Sequence, residues 1–285
     1  AIKKSKGTLS IIPQLKFKVP HKGVINKAPP QIDIISAHCY EAKAAAVAVC
    51  TDPDAYGYDF EALKGAEKQQ ASYKGEFPSP LPCMAFDTFI DPIQMAMAAE
   101  CGAQGVNLEV AALKDRTGEM IEAAKSLGLD PLVQVHNKEE LDLALEAGAK
   151  IVGITNRDVD TWEPINKISS VSREWEVPFE ETVFALIKEV PKDVVTVALG
   201  HVNETIAAWT LRDEGYNAIM IGEVIMKGLE TAQVTGSSYQ AAYNEAKGII
   251  MAFRSKGSKK YGPSSAANFY GKGEGAKEEL GQLSM

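Results

Sequence analysis

The chain has 285 residues, of which 45% are hydrophobic and 24% are charged, the proportions of an ordinary globular protein with one large core. Its formal net charge of −8 disfavours a nucleic-acid partner, which would select for a basic surface. No apolar run approaches the ~18 residues that cross a bilayer, so the sequence predicts no membrane span.

The four cysteines are widely spaced and form no CxxC pair: Cys39, Cys50, Cys83 and Cys101. We therefore expect reduced core residues, with neither a disulfide framework nor a zinc site, and we predict no metal or other cofactor. The sequence opens on Ala1 without an initiator Met. A removed targeting leader would explain such a start, as would cloning or partial sequencing.

Short apolar runs alternate with helical patterns along residues 9–230. The predicted strands are Leu9–Leu15, Ala45–Cys50, Pro82–Phe86, Gly105–Val110, Pro131–Val135, Ile151–Ile154, Val194–Leu199 and Ala218–Ile221. The helices between and after them are predicted at Asp33–Ala44, Phe60–Gln69, from Pro92 onward, Arg116–Leu127, Asn137–Gly148, Glu180–Glu189, Glu204–Glu214 and Val224–Leu229. This alternation predicts an α/β protein, a single-domain (β/α)8 TIM barrel. A doubly wound open sheet is the alternative, weakened by the absence of a GxGxxG turn after the first strand.

Two segments follow the predicted barrel. Residues 231–254 contain one additional helix, Tyr239–Arg254, and Ser255–Met285 is rich in Gly, Ser and Lys. The last segment is too polar to order itself alone, so we expect a flexible tail. Its interspersed aromatic residues, Tyr261, Phe269 and Tyr270, also fit a strap that docks onto a protein partner.

Several motifs, in order along the chain, resemble the indole-3-glycerol-phosphate synthase family. They are KGVI at Lys22–Ile25, TDPDAYGYDFEALK at Thr51–Lys64, FDTFIDPIQ at Phe86–Gln94, GLDPLVQVHNKEEL at Gly128–Leu141, GITNRDV at Gly153–Val159 and IGEVIMKG at Ile221–Gly228. The resemblance implies a (β/α)8 lyase of tryptophan biosynthesis, which closes an indole ring with loss of carbon dioxide and then water. It also implies a phosphate-bearing small molecule as ligand.

The acids and bases that this resemblance implies are largely replaced. The family's first-strand glutamate falls on Gln14, its third-strand lysine on Phe86 and its fifth-strand glutamate on Gln134. The first asparagine of its NNRD motif falls on Thr155, and the glutamate and serine of its ESG motif fall on Ala198 and Leu199. Because of these replacements, no catalytic set of the family is intact. Each such acid–base group typically contributes ~10²–10⁴-fold in rate, so we predict little turnover.

Other family positions are kept. A remaining phosphate or ligand site would use Lys16, Asn156, Arg157, Gly200, His201, Gly222 and Glu223. The alternative is that these residues only hold the barrel rim together through salt bridges and hydrogen bonds. Glu109 interrupts an apolar strand and could be a replacement acid, although one carboxylate is more often structural.

Two hypotheses for function follow. The first is an inactive member of the synthase family that serves as a scaffold, binding or regulatory subunit. The alternative is an active indole-3-glycerol-phosphate synthase or a related sugar-phosphate enzyme. Because plants and algae keep this family's synthase in plastids, the resemblance and the apparently processed start favour the plastid stroma.

Overall fold

A computed structural model describes residues 9–157, 183–200, 202–234 and 239–254. Within these residues, parallel strands close into a barrel. The barrel strands are β1 (Ser10–Leu15), β4 (Val47–Cys50), β5 (Cys83–Phe86), β6 (Gly105–Glu109), β7 (Asp130–Val135), β8 (Ile151–Thr155), β9 (Val195–Leu199) and β10 (Ala218–Ile221), and β2 (Lys18–Val19) and β3 (Gly23–Val24) form a separate hairpin. Around the barrel the strands pair in the order β1-β10-β9-β8-β7-β6-β5-β4. The predicted TIM barrel is confirmed, and the open-sheet alternative is wrong because β1 pairs with β10 and closes the ring.

A small antiparallel hairpin follows β1 and is not among the predicted elements. It consists of β2 (Lys18–Val19) and β3 (Gly23–Val24), and Gly23 turns with a φ of 71°. The hairpin is tied to the next barrel unit because the backbone N–H groups of Phe17 and Lys18 both donate to the Tyr56 carbonyl at 3.0 Å. This hairpin therefore lies beside the carboxyl end of the barrel.

Helices cover the outside of the sheet. They are α1 (Ile32–Glu41), α2 (Phe60–Ala71), α3 (Pro92–Glu100), α4 (Val110–Leu113), α5 (Thr117–Ser126), α6 (Lys138–Glu146), α7 (Val183–Glu189), α8 (Thr205–Glu214), α9 (Glu223–Val234) and α10 (Tyr239–Arg254). The short α4 was not predicted, and the predicted boundary at residue 230 falls inside α9. Helix α10 has the predicted bounds and packs against α9 and α1.

Capping side chains explain where several helices begin. The carboxylate of Asp59 accepts the Ala62 N–H at the start of α2, and Asp91 forms a capping box with Gln94 at the start of α3. The Asn137 side chain accepts the Glu140 N–H at 2.9 Å at the start of α6. Asn137 thereby fixes the turn that leaves β7, next to the mouth of the barrel.

The strands bury both faces, as parallel strands covered by helices must. Side chains that point into the barrel form one apolar cluster, which includes Ile12, Met84, Leu132, Val197 and Met220. Their sequence neighbours point outward and pack beneath the helices in a second, larger cluster. The period of two along each strand thus decides which side chains can reach the mouth.

Several predictions lie outside the described residues. They concern Ser255–Met285, His201 and most of the connection between β8 and α7. Over the described ranges, no helix has both the length and the apolar composition needed to cross a membrane. The four cysteines are free thiols, and Cys101 is the one that is partly exposed.

Candidate active site

A pocket opens at the carboxyl ends of the barrel strands, the end where TIM-barrel enzymes bind their substrates. It gathers most of the residues that sequence comparison with the synthase family singled out. The predicted residues that line it are Gln14, Lys16, Phe86, Glu109, Gln134, Thr155, Arg157, Leu199, Gly200, Gly222 and Glu223.

Two of the predicted residues do not line this pocket. Ala198 lies one position before the inward-facing Leu199 and packs in the outer core beneath the helices. Asn156 is 1% exposed, and its backbone N–H donates to the Leu199 carbonyl at 3.0 Å, which ties β8 to β9. Asn156 is thus buried behind the pocket wall, whereas its neighbours Thr155 and Arg157 line the pocket.

One side of the pocket is built around a buried carboxylate with three cations. The Glu223 Oε1 atom lies 3.2 Å from the Lys22 Nζ atom and 3.0 Å from the Lys227 Nζ atom, and its Oε2 atom lies 3.5 Å from the Arg157 Nη2 atom. Burial opposes ionisation of Glu223, but Lys227 and Lys22 outweigh it and lower its pKa to about 2. The cations outnumber the carboxylate, which makes this side of the mouth electropositive.

Lys16 adds a further cation at the end of β1, and it is 9% exposed. Burial lowers the pKa of Lys16, and the charge of Arg157 acts in the same direction, while Cys50 and Glu223 oppose the shift. The Lys16 Nζ atom lies 5.6 Å from the centre of the Tyr56 ring, which stabilises the ammonium. Lys16 is thus a buried amine that gives up its proton more readily than a surface lysine.

The opposite side of the pocket carries a carboxylic acid. Glu109 ends β6, and the sheet register places it directly beside Gln134 of β7. The Gln134 Nε2 atom donates to the Glu109 Oε1 atom at 3.2 Å. Burial raises the pKa of Glu109, and Glu140 adds to the rise while His136 opposes it. A carboxyl group therefore faces the pocket from the strand next to the family's glutamate position.

His136 is not among the predicted site residues. In the structure it is 8% exposed and lines the pocket, with its Nε2 atom 3.5 Å from the Glu109 Oε1 atom. Its Nδ1 atom lies 2.9 Å from the Glu140 Oε2 atom, which also accepts the His136 backbone N–H at 2.8 Å. The sequence signal that could have found this contact is the Asn137-x-x-Glu140 cap that directly follows His136.

Metal binding has no geometric support in the part of the chain that the structure describes. Within those ranges, no three His, Cys, Asp or Glu side chains are grouped closely enough to hold an ion. The polar groups of the pocket are suited instead to binding an anion on one side and exchanging protons on the other.

Comparison with known proteins identifies the family to which the sequence is similar. A model of the family described as "Indole-3-glycerol phosphate synthase" matches residues 1–237. Relatives named "Indole-3-glycerol phosphate synthase" include that of Opitutus terrae, 29% identical over 81% of this chain and 80% of the relative. The protein of the same name from Ruminiclostridium cellulolyticum is 33% identical over 81% of this chain and 82% of the relative.

A solved structure supports the fold alone. The thiamine phosphate pyrophosphorylase of Pyrococcus furiosus superposes with a TM-score of 0.55 at 15% identity, over 86% of this chain and 96% of that chain. The family model, in contrast, covers most of the sequence, including every described strand. The chain therefore belongs to the indole-3-glycerol-phosphate synthase family.

Proposed function

We propose that this chain is an active carbon–carbon lyase of the synthase family, acting on a phosphorylated, sugar-like substrate at the barrel mouth. The observation that carries the proposal is the pair formed by Glu109 and Gln134. The family's fifth-strand glutamate is replaced by Gln134, yet a carboxyl group on the adjacent strand lies 3.2 Å from that amide. A carboxylate is thus available in the pocket, displaced by one strand.

The electropositive side of the pocket would hold the phosphate. Arg157 and Lys22 are both anchored on Glu223, and helix α9 begins there, where the first N–H groups of a helix have no acceptor within the helix itself. Gly222 packs tightly against the end of β1, because a Cβ atom at this position would lie 2.6 Å from the Gln14 carbonyl oxygen. Arg157, Gly222 and Glu223 would therefore serve substrate binding rather than the chemical step.

The chemistry of the family needs groups that donate and accept protons. Lys16 has a lowered pKa and would act as the acid, while Glu109 has a raised pKa and would exchange the proton on the other side of the substrate. These shifts bring the two groups towards the pH at which proton transfer is most effective. In this assignment, Lys16 directly after β1 takes the role of the family's third-strand lysine, whose position is occupied here by Phe86.

An inactive scaffold or regulatory subunit is the second candidate. The replacement of six family positions, among them Gln14, Phe86 and Leu199, favours it. Its partner would bind through Ser255–Met285, as the composition of that segment suggests. The plastid stroma also stays a prediction, since the relatives named above are bacterial.

The first experiment asks whether the wild-type chain supports growth of a tryptophan auxotroph that lacks the synthase. In parallel, turnover of the synthase's substrate is followed by indole fluorescence, and binding by calorimetry. We expect growth and measurable turnover. Binding without turnover would overturn the lyase proposal in favour of a ligand-binding scaffold, and absence of both would overturn the phosphate site as well.

The second experiment assigns the residues. Glu109→Gln should lower kcat by ~10²–10⁴-fold, the range for removal of one acid–base group, with little change in KM. Lys16→Met should have an effect of the same order. The matched control is Glu122→Gln, which removes a carboxylate from an exposed ion pair with Lys125 on α5. Equal activity of Glu109→Gln and the control would show that Glu109 is only structural.

A further inference from the structure

We propose that Glu109, His136 and Glu140 form a proton relay in the wall of the pocket, with Glu140 as the residue that positions the imidazole. The proposal deepens the proposed function, on which it rests. The relay runs from Glu109 at the end of β6, through His136 after β7, to Glu140 in the first turn of α6. Glu109 and His136 line the pocket, whereas Glu140 touches it only through the ring.

Glu140 determines the tautomer of the His136 ring. The Glu140 Oε2 atom accepts the His136 backbone N–H at 2.8 Å and lies 2.9 Å from the His136 Nδ1 atom. A carboxylate can only accept hydrogen bonds, so Nδ1 must carry the proton that points at it. In a neutral ring, the Nε2 atom then presents a lone pair to the pocket.

The Glu109 carboxyl group faces the lone pair of the His136 Nε2 atom. The His136 Nε2 atom lies 3.5 Å from the Glu109 Oε1 atom, which already accepts the Gln134 amide N–H. An ionised carboxylate and a neutral imidazole would place two acceptors opposite each other. The contact is therefore favourable when the pair holds one proton, either as carboxylic acid with imidazole or as carboxylate with imidazolium.

This shared proton gives the relay its function. The cycle starts from the pair without its shared proton, with Glu109 as carboxylate and His136 as neutral imidazole. Glu109 then accepts a proton when a bond to hydrogen in the substrate breaks and the electron pair stays on the substrate, and the pair reaches its favourable one-proton state. The proton then moves to the Nε2 atom, which restores the Glu109 carboxylate and forms an imidazolium opposite Glu140. The reverse transfer delivers the same proton to the oxygen that leaves as water. No oxidant or further reactant is required.

The position of Glu140 is fixed independently of any substrate. The Asn137 side chain caps α6 through the Glu140 N–H at 2.9 Å, and its amide donates to the Glu140 Oε1 atom at 3.0 Å. Within the described ranges, Glu109 and Glu140 are the charged groups in ion-pair distance of the ring. Helix α4, which packs against α6, contributes only Val, Ala and Leu side chains. The 3-10 turn that follows it also packs against α6, and its charged side chains, Lys114, Asp115 and Arg116, are exposed to solvent.

The experiment compares Glu140→Gln with Glu139→Gln, which removes an equal charge from the exposed neighbour in the same turn. The glutamine at residue 140 still offers a carbonyl to the Nδ1–H group but no longer stabilises an imidazolium. We expect kcat to fall by about 10–100-fold, the usual effect of losing a group that orients a reactive residue, with KM close to wild type. The limb of the pH–rate profile that depends on the ring should move to lower pH.

A purely structural role for Glu140 predicts a different pattern. Asp91→Ala weakens the cap of a different helix, α3, and should lower the melting temperature without moving the pH–rate profile. If Glu140→Gln behaves like Asp91→Ala, with lower thermal stability and an unchanged profile, the relay is wrong even though the enzyme is active.

A readout that needs no turnover separates the relay from the proposed function. In the full-length protein, NMR follows the titration of the His136 ring, assigned with His136→Gln. In Glu109→Gln and in Glu140→Gln the midpoint should move to lower pH, because each variant removes a negative charge that favours the imidazolium. Glu139→Gln should leave it in place. This result would support the relay even if the synthase's substrate is not turned over, and titration curves that superimpose in all variants would overturn it.

Discussion

Glu223→Gln tests whether the charges around Glu223 hold the electropositive side of the pocket together. Glu223 is 5% exposed, and its pKa falls from an ordinary 4.5 to about 2 in the folded protein. At ~1.4 kcal/mol for each unit, this depression corresponds to about 3 kcal/mol of folding free energy. Since Lys22 and Lys227 are 42% and 53% exposed, solvent screening reduces the expected loss to about 2 kcal/mol.

The pH dependence identifies the cause of that loss. A carboxylate whose pKa is depressed by folding stabilises the protein above its unfolded pKa, and the contribution disappears as the pH falls towards the folded value. The free energy of unfolding of the wild type should therefore exceed that of Glu223→Gln by a constant margin at neutral pH. This margin should shrink between about pH 4.5 and pH 2.

Urea denaturation at a series of pH values measures the difference, and the neutral-pH melting temperature should fall by about 4–8 °C. Glu122→Gln is the control, because its partner Lys125 and its own side chain are both exposed. A margin that does not change with pH would show that lost packing, rather than charge, explains the effect. Equal stability of Glu223→Gln and the control would refute the reasoning.

Two further predictions concern the neighbours of the site. Gln134→Glu reinstates the family's residue but sets a second carboxylate about 3 Å from Glu109, so urea denaturation should show a loss of stability that is larger at mildly alkaline than at mildly acidic pH. Gly222→Ala should lower stability by about 1–3 kcal/mol, because the added Cβ atom meets the Gln14 backbone oxygen at 2.6 Å. Gly153→Ala should cost less, since the nearest atom, at 2.7 Å, belongs to a leucine side chain that can rotate.

Most of the fold could be predicted because apolar runs and capping residues in the sequence mark where the strands and helices of the barrel begin and end. The strand Ala218–Ile221 and the helix Tyr239–Arg254 have the predicted bounds. Asp91-Pro92 and Asn137 begin helices where their capping chemistry requires it. The hairpin after β1 was missed because its strands have two residues each, too few to show a period of two.

The site was only partly predictable, because matching a family position does not reveal where a side chain points. Ala198 and Leu199 are adjacent in sequence, yet only Leu199 faces the pocket. Likewise, Glu109 and Gln134 are 25 residues apart in sequence and become neighbours only through the sheet register. The contact of His136 with Glu140 needed the helix cap as well, since the cap brings the carboxylate back over the ring.

The register of the barrel explains how, in the proposed lyase, a carboxyl group on β6 can serve the same pocket as the family's glutamate position on β7. The carboxyl ends of the strands form a closed ring, so side chains at paired positions of neighbouring strands approach the same central volume. Glu109 and Gln134 occupy such a pair, and the Gln134 amide donates to the Glu109 carboxyl group. A glutamate on both strands would instead place like charges together in a poorly hydrated pocket, where at most one ionises readily. The substitution at Gln134 and the presence of Glu109 therefore belong to one arrangement, and the loss of the family's glutamate does not by itself remove acid–base chemistry from the barrel.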